Sequence, residues 1–319
     1  MHKIYRSQYK DIEALTMESE QIKVQFLPKH GGKMASFLDK KTSREFLVQS
    51  PGSTYKVLDF AGVYTESECS GFDDMFPTID QVYYPHYPWK GTEMADHGEV
   101  CRLPWEDEIG VDFLSMRVYG IRFPYILDKR ITFESENVLR IDYRAMNLSP
   151  FDLDFLWAAH SMIDTSDGVE ILVPFAGQQD TFCIFSSDAN LGAYGDRLVW
   201  PETVRKDGSK ETLAKIDKRV AGNTSEKTYK YFFKERLPEG WCAIRYPSEG
   251  TTLRFSFPEE QVPYLGIWTN EGAFKDYYNV ALEMCTGSMD RPDLARLYGQ
   301  NSILKGKSDY SWYFKIHIE

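Results

Sequence analysis

The chain has 319 residues, with 48 acidic and 37 basic side chains and a net charge of −11. No stripe of Lys and Arg accompanies this acidic balance. We therefore expect no nucleic-acid partner, because binding to a phosphate backbone needs basic side chains that displace counterions. The length is ample for a buried core, and large all-β folds reach this size as one domain.

The cysteines are odd in number and scattered, at Cys69, Cys101, Cys183, Cys242 and Cys285. Their spacing matches no zinc site, so we expect reduced thiols and no metal. The sequence shows no apolar signal region and no apolar run of membrane-span length, so we expect a cytoplasmic protein without a membrane partner. The triplet Asn223-Thr224-Ser225 matches a glycosylation signal, and we interpret it as a chance match.

Strand signals dominate the first part of the chain. Ile22, Val24 and Phe26 alternate with polar residues, which predicts a half-buried strand. Residues 33–47 then predict a hairpin whose tip is polar. From residue 50 to residue 110, prolines and glycines are too dense for regular structure, which indicates long loops. Because long loops in compact domains are often functional, we expect the walls of a binding site here.

Short apolar or alternating runs recur after Gly110 and predict further strands. Four of them have the spacing of an antiparallel meander, at 113–118, 129–133, 138–146 and 151–157. Seven more follow, at 170–174, 228–234, 241–246, 251–257, 264–269, 279–285 and 311–318. Residues 204–227 are polar and predict a loop or a short surface helix, and 290–298 predict one short helix. The fold predicted is all-β, a large antiparallel β-sandwich formed by a single domain over residues 1–319.

The stretch Phe151–His160 alternates like a strand. Its aromatic parity is predicted to be buried, which places His160 on the other face together with Asp152 and Asp154. A histidine there can exchange protons near neutral pH, because its ordinary pKa is about 6.5. We therefore take His160 as the candidate general acid.

Glu283 lies in a second apolar strand, on a face where its neighbours Ala281 and Cys285 are small. The small neighbours leave room for a ligand, and burial would tune the carboxylate as a general base. The alternative is an exposed strand glutamate with no role, which the pattern alone favours slightly.

Other polar and aromatic residues are candidates for substrate binding. His97 lies between Asp96 and Glu99 in a predicted turn, which would favour its protonated form, or it is a loop histidine bonded to its own backbone. The paired carboxylates Asp73 and Asp74 could bind sugar hydroxyls or cap an Asx turn. Trp105 and Trp268 could stack on a sugar ring, although aromatic residues at strand spacing usually belong to a core.

The sequence has no glycine-rich nucleotide motif and no G-x-S-x-G element, which disfavours nucleotide chemistry and serine hydrolysis. Taken together, the pieces described above resemble the aldose 1-epimerase, or galactose mutarotase-like, superfamily. The resemblance is carried in chain order by four segments and a C-terminal motif, His30–Ser36, Asp96–Glu99, Trp157–His160, Ala281–Glu283 and Gly306-Lys307-Ser308 before Trp312.

The resemblance implies a β-supersandwich with a sugar site on the concave face of a sheet. By position, His160 resembles the acid that protonates the ring oxygen, Glu283 the base that deprotonates the anomeric hydroxyl, and His97 a second histidine that binds the sugar. It implies no cofactor, a small-molecule sugar as partner, and a monomer or homodimer. The chain departs from the family pattern at Gly71–Pro77, where the best-known members carry an Asn-Arg pair, and at Ser161–Ile163, which predicts a divergent branch.

Three hypotheses for the function stay open on the sequence. The first is a mutarotase that interconverts the anomers of a free aldose. The second is a carbohydrate-binding or sensor protein that keeps the fold without catalysis. The third is a glycoside hydrolase or lyase, which would need two carboxylates across the scissile bond, for example Asp74 and Glu283.

Overall fold

The computed structural model describes residues 2–220 and 226–319. The triplet Asn223-Thr224-Ser225 lies outside the described residues. Across the two described ranges, no helix is long and apolar enough to cross a membrane.

The structure is built almost entirely from β-strands. The first nine are β1 (Lys3–Tyr9), β2 (Ile12–Glu18), β3 (Ile22–Leu27), β4 (Lys33–Asp39), β5 (Arg44–Glu45), β6 (Phe72–Met75), β7 (Val82–Tyr83), β8 (Glu93–Met94) and β9 (Glu106–Ile109). The next nine are β10 (Phe113–Tyr119), β11 (Tyr125–Ser135), β12 (Val138–Asn147), β13 (Leu153–Phe155), β14 (Ala158–Ser161), β15 (Ile163–Asp164), β16 (Val169–Leu172), β17 (Gln179–Ser186) and β18 (Arg197–Trp200).

The last ten strands are β19 (Glu202–Val204), β20 (Lys210–Thr212), β21 (Lys215–Ile216), β22 (Lys227–Phe233), β23 (Trp241–Tyr246), β24 (Thr251–Ser256), β25 (Tyr264–Glu271), β26 (Tyr278–Cys285), β27 (Ser302–Leu304) and β28 (Asp309–Ile318). One α-helix, α1 (Pro292–Leu297), and two 3₁₀ turns, at Tyr64–Glu66 and Val100–Arg102, complete the described elements.

Two large sheets form the body of the protein. Thirteen strands make the first sheet, in the order β1-β2-β3-β4-β6-β14-β26-β25-β22-β17-β18 with β5 and β15 at its side. Nine strands make the second, in the order β21-β16-β23-β24-β28-β12-β11-β10-β9. The ladders between these strands are antiparallel, so the predicted antiparallel β-sandwich is confirmed.

The core lies between the two sheets and is held by aromatic contacts. The rings of Phe72 on β6 and Phe314 on β28 stack with centroids 5.7 Å apart. Trp157 packs against Tyr143 of β12 at 5.0 Å. Because side chains alternate along a strand, one face of each strand points into this layer, and that face is mostly apolar.

Most of the predicted strands are present, with informative exceptions. The meander is confirmed for β10, β11 and β12, whereas β13 pairs with β27 instead of β12. The hairpin of β1 and β2 was not predicted, because β1 is largely exposed and shows no apolar alternation. Residues 204–227, where a loop or a short surface helix was expected, contain the short strands β20 and β21. The predicted short helix is confirmed as α1.

The stretch Phe151–His160 is not one continuous strand. It is divided after Phe155 into β13 and β14, which belong to different sheets. The expectation that His160 shares a face with Asp152 and Asp154 is therefore wrong. Asp152 pairs with Lys305 at the surface. The buried Asp154 carboxylate binds Arg296 and Asn301.

Candidate active site

The candidate site lies on the face of the thirteen-stranded sheet that points away from the core. Strand β26 pairs with β14, where Cys285 is opposite Ala158, and with the following strand β15, where Val280 is opposite Ile163. The register is the same at both points, so His160 lies level with Glu283 across the two strands. Directly opposed residues of an antiparallel pair point to the same face. The two candidates, 123 positions apart in the printed sequence, therefore meet on one face of the sheet.

A pocket of about 510 Å³ opens above this point. Its volume falls within the range of about 300–1,000 Å³ that is typical of small-molecule sites. The side chains that line it include His160, Glu283, His97, Trp268, Tyr64, Asp80, Asp96, Lys230 and Asp290. These residues come from the sheet, from the long loop region between residues 50 and 110, where the sequence predicts the walls, and, for Asp290, from the segment after β26.

Glu283 is 1% exposed and is held by a buried lysine. Its Oε2 lies 2.6 Å from Nζ of Lys230, which also lies 2.8 Å from Oδ1 of Asp290. Burial raises the pKa of Glu283, and the charge of Lys230 opposes that rise. The exposed strand glutamate, the alternative that the pattern slightly favoured, is not what the structure shows.

His160 is 4% exposed and lies against two aromatic rings. Its ring is nearly parallel to that of Trp268, with centroids 5.7 Å apart. Its Nδ1 is 3.5 Å from the hydroxyl of Tyr64. Burial, together with the positive charges of His97, Lys230 and Lys33, lowers the pKa of His160 well below its ordinary value. At neutral pH the imidazole is therefore neutral.

His97 is placed at the pocket by an unusual turn. Its φ of 60° lies in the left-handed region, and its backbone N–H donates to the carbonyl of Ile79. The next residue, Gly98, could not carry a side chain, because a Cβ would lie 2.2 Å from the carbonyl oxygen of Phe76. The imidazole stacks on Tyr64 at 3.7 Å, and its Nδ1 is 2.9 Å from Asp96.

Asp73 sits behind Tyr64, away from the lining of the pocket. It is the register partner of His160 on β6, and its Oδ2 accepts a hydrogen bond of 2.8 Å from the Tyr64 hydroxyl. Nζ of Lys33 lies 2.8 Å from the same carboxylate. Asp73 therefore acts on the pocket through Tyr64 and His160, and a direct contact with a ligand would require the Tyr64 ring to move.

Asp74 and Trp105 do not lie at the pocket, contrary to expectation. As the next residue along β6, Asp74 points to the opposite face, into the core. There its carboxylate binds Nζ of Lys129 at 2.8 Å and the indole N–H of Trp157 at 2.9 Å. Trp105 is fully buried, with its indole N–H bonded to the carbonyl of Val100, so neither ring face is open to a sugar.

Trp268 does line the pocket, where its indole N–H donates to Thr228. The sequence-based reasoning missed Tyr64, Lys230 and Asp290. A signal for Lys230 was present, because it is the one charged residue within the aromatic run Tyr229–Phe233. For Tyr64 and Asp290, which lie in irregular segments, the sequence carries no comparable signal.

Among the described residues, no group of three or more His, Cys, Asp or Glu side chains has the arrangement of a metal site. A neutral imidazole and an ion-paired carboxylate face one cavity, with a second imidazole and an indole beside them. This arrangement can exchange protons with, and hydrogen-bond to, a small polyhydroxylated ligand.

No family model matches the sequence, and no curated protein matches it. The fold, however, is shared with several solved structures. A candidate aldose 1-epimerase from Klebsiella pneumoniae is 12% identical with a TM-score of 0.70, over 99% of this chain and 82% of the other. A galactose mutarotase-like protein from Clostridium acetobutylicum is 15% identical with a TM-score of 0.67, over 99% and 98%.

A candidate aldose 1-epimerase from Escherichia coli K12 is 14% identical, with a TM-score of 0.65 over 100% of this chain and 99% of the other. At identities this low, the likeness concerns the path of the chain and carries no residue role with it. The chain has the galactose mutarotase-like β-sandwich fold.

Proposed function

We propose that the protein is an aldose 1-epimerase-like enzyme that interconverts the α and β anomers of a free sugar. The observation that supports the proposal most strongly is the placement of His160 and Glu283 level with each other across a pocket of about 510 Å³. Mutarotation requires an acid and a base on either side of one C–O bond, and each increases the rate by about 10²- to 10⁴-fold.

In the proposed reaction, Glu283 removes the proton of the anomeric hydroxyl while His160 gives a proton to the ring oxygen. The bond between C1 and the ring oxygen breaks, its electron pair stays on that oxygen, and C1 becomes the free aldehyde. Rotation about the C1–C2 bond presents the other face of the carbonyl. Ring closure reverses both transfers. The former ring oxygen returns its proton to His160 as it attacks C1, and Glu283 gives its proton to the new anomeric oxygen, so no cofactor is consumed.

The active form of the pair carries one titrating proton, on His160 before ring opening, and it is populated below neutral pH, because the imidazole is neutral at neutral pH. The pKa of His160 is lowered and that of Glu283 is raised, so both shifts reduce the preference of the proton for His160 that the ordinary values would give. Such a pair titrates in two steps that belong to both residues together.

The charges around the pocket favour an uncharged sugar. Asp80, Asp96 and Asp290 line it together with Glu283, against Lys230 as the buried ammonium group. Lys230 is already bound by two carboxylates and is not available to pair with a phosphate. The Arg of the family's Asn-Arg pair has no counterpart in Gly71–Pro77, which agrees with a divergent substrate preference.

Carbohydrate binding without catalysis is the second candidate, and one observation favours it. The neutral state of His160 and the ion pair of Glu283 also suit hydrogen bonding to sugar hydroxyls with no proton transfer. Hydrolysis has less support, because Asp74, the carboxylate suggested as the partner of Glu283, points into the core.

A sugar panel separates these candidates. Freshly dissolved single anomers of neutral hexoses and pentoses are followed by polarimetry with and without the protein, and aryl glycosides are tested in parallel. The proposal expects faster anomer exchange for at least one aldose and no glycoside cleavage. Sugar binding without acceleration would favour a binding protein, and glycoside cleavage would favour a hydrolase.

A further inference from the structure

Lys230 is a buried cation placed at the pocket by an aromatic strand. It lies on β22 in the run Tyr229–Phe233, and its side chain is 6% exposed. In the ladder, Lys230 is opposite Trp268 and Phe232 is opposite Gly266, which in turn is opposite Glu283. Gly266 has no side chain, and the ring of Phe232 packs over it, with Cζ 2.7 Å from where a Cβ would lie.

The ammonium group is shared by two carboxylates from different segments. Its Nζ lies 2.6 Å from Oε2 of Glu283 and 2.8 Å from Oδ1 of Asp290. Asp290 belongs to the segment after β26, and its backbone carbonyl accepts hydrogen bonds from the N–H groups of Ile79 and Asp80. These backbone hydrogen bonds fix the segment. The Asp290 carboxylate can therefore compete with Glu283 for the ammonium group of Lys230.

A buried charge is costly unless it is paired, so an uncompensated Glu283 would take up a proton. Although burial opposes it, pairing with Asp290 and Glu283 raises the pKa of Lys230 above its ordinary value, and the lysine stays charged. It is therefore neither a nucleophile toward an aldehyde nor a proton donor at neutral pH. What it supplies is a fixed positive charge.

We propose that Lys230 is a positioning residue that keeps Glu283 in its carboxylate form, and that Asp290 competes with Glu283 for that charge. This inference deepens the proposed function, because it names the group that prepares the base. The alternative is that Lys230 only links β22 to the segment at Asp290. In that case its charge would leave the proton affinity of Glu283 unaffected.

The charged and titratable groups around Glu283 come from several elements. They are Lys230 from β22, His160 from β14, Asp290 from the segment after β26, and His97, Asp80 and Asp96 from the loop region. Of these groups, Asp290 opposes the effect of Lys230 on Glu283, and His97 acts in the same direction as Lys230. Asp290 raises the pKa of Glu283 by repulsion, whereas His97 lowers it.

The test measures the pKa of Glu283 in the sugar-free protein, by NMR titration of side-chain carboxyl carbons in ¹³C-glutamate-labelled samples. Glu283→Gln identifies the signal. Lys230→Met, which keeps the length of the side chain without its charge, is expected to raise the pKa of Glu283 by about 1 to 3 pH units. Lys230→Arg, which keeps the charge, is expected to leave it near the wild-type value.

Asp290→Asn removes the competitor and is expected to move the pKa of Glu283 downward. An unchanged Glu283 pKa in folded Lys230→Met overturns the inference. Should Lys230→Met fail to fold, the decision passes to Asp290→Asn, where a Glu283 pKa that stays constant or rises overturns it. Because this titration needs no turnover, its result stands whether or not the protein accelerates anomer exchange, so the two proposals fail separately.

Discussion

His160 and Glu283 lie level on adjacent antiparallel strands and face the same pocket. Their environments differ in a way that suits proton exchange. Buried among cations, the imidazole binds a proton weakly, whereas the carboxylate binds one more strongly than an exposed glutamate. The consequences of this pairing can be tested one residue at a time.

Replacing Glu283 by Gln should abolish most turnover while leaving sugar binding nearly intact. The amide keeps the shape of the side chain but cannot accept the anomeric proton, so we expect the rate to fall by about 10²- to 10⁴-fold. Calorimetric titration with the active sugar measures the affinity. Glu170→Gln, at an exposed ion pair with Arg245, serves as the control. Full activity in Glu283→Gln would remove this residue from the mechanism.

The rate of anomer exchange should have its maximum on the acid side of neutrality. The active pair holds one proton, so activity is lost below its lower titration step and above its upper one. Because the pKa of Glu283 is raised and that of His160 is lowered, both steps move inward from the ordinary values of about 4.3 and about 6.5.

The check is a rate profile against pH, corrected for the spontaneous reaction and accompanied by circular dichroism to show that the fold persists. A decline toward alkaline pH agrees with the pairing. A rate that stays constant from the acid to the alkaline side of neutrality speaks against it.

Tyr64→Phe should slow the reaction without weakening sugar binding greatly. The Tyr64 hydroxyl donates to Asp73, which leaves its lone pair facing Nδ1 of His160. This arrangement favours a proton on Nδ1 and directs proton exchange to Nε2. Loss of one such hydrogen bond is worth about 1 kcal/mol, or about fivefold in rate.

Nitrogen NMR of the His160 ring shows which nitrogen carries the proton and gives a readout that needs no activity. The matched control is Tyr84→Phe, since the buried Tyr84 hydroxyl accepts a bond from the N–H of Asp154 away from the pocket. An unchanged His160 tautomer and rate in Tyr64→Phe would show that the hydroxyl does not position the ring.

Removing the carboxylate of Asp74 should unfold the protein more readily. Asp74→Ala leaves Lys129 buried and unpaired in the core, and breaking a buried pair costs about 3–5 kcal/mol. The free energy of unfolding in urea measures the loss. By comparison, Asp128→Ala breaks the exposed pair with Arg117, which is worth about 0–1 kcal/mol. Equal effects of the two substitutions would contradict the structural role assigned to Asp74.

The sequence predicted most of the strands and the face on which Glu283 lies, because alternation reports which face a side chain occupies. It correctly separates Glu283 from Val280, Leu282 and Met284, which are buried in the core. The prediction was wrong at Phe151–His160, because the alternation was counted across the break between β13 and β14.

The placement of the remaining site residues depends on long-range strand pairing, which the local sequence pattern does not specify. Asp73 and Asp74 are neighbours of identical chemistry, and only the positions of Lys33 and Lys129 reveal which faces the site and which the core. Likewise, Lys230 becomes informative only when β22, β25 and β26 are aligned. Strand register, more than strand identity, is what the sequence leaves undetermined.

The central proposal is tested most directly by saturation-transfer NMR on an equilibrated aldose. The anomeric proton of one anomer is irradiated, and the loss of signal from the other anomer reports exchange between the two. Sugar binding without anomer exchange does not count as a positive result. With catalytic amounts of the wild-type protein we predict rapid transfer for at least one neutral aldose, and transfer at the buffer rate with Glu283→Gln. Transfer at the buffer rate with the wild-type protein across a broad panel of aldoses would contradict the proposal.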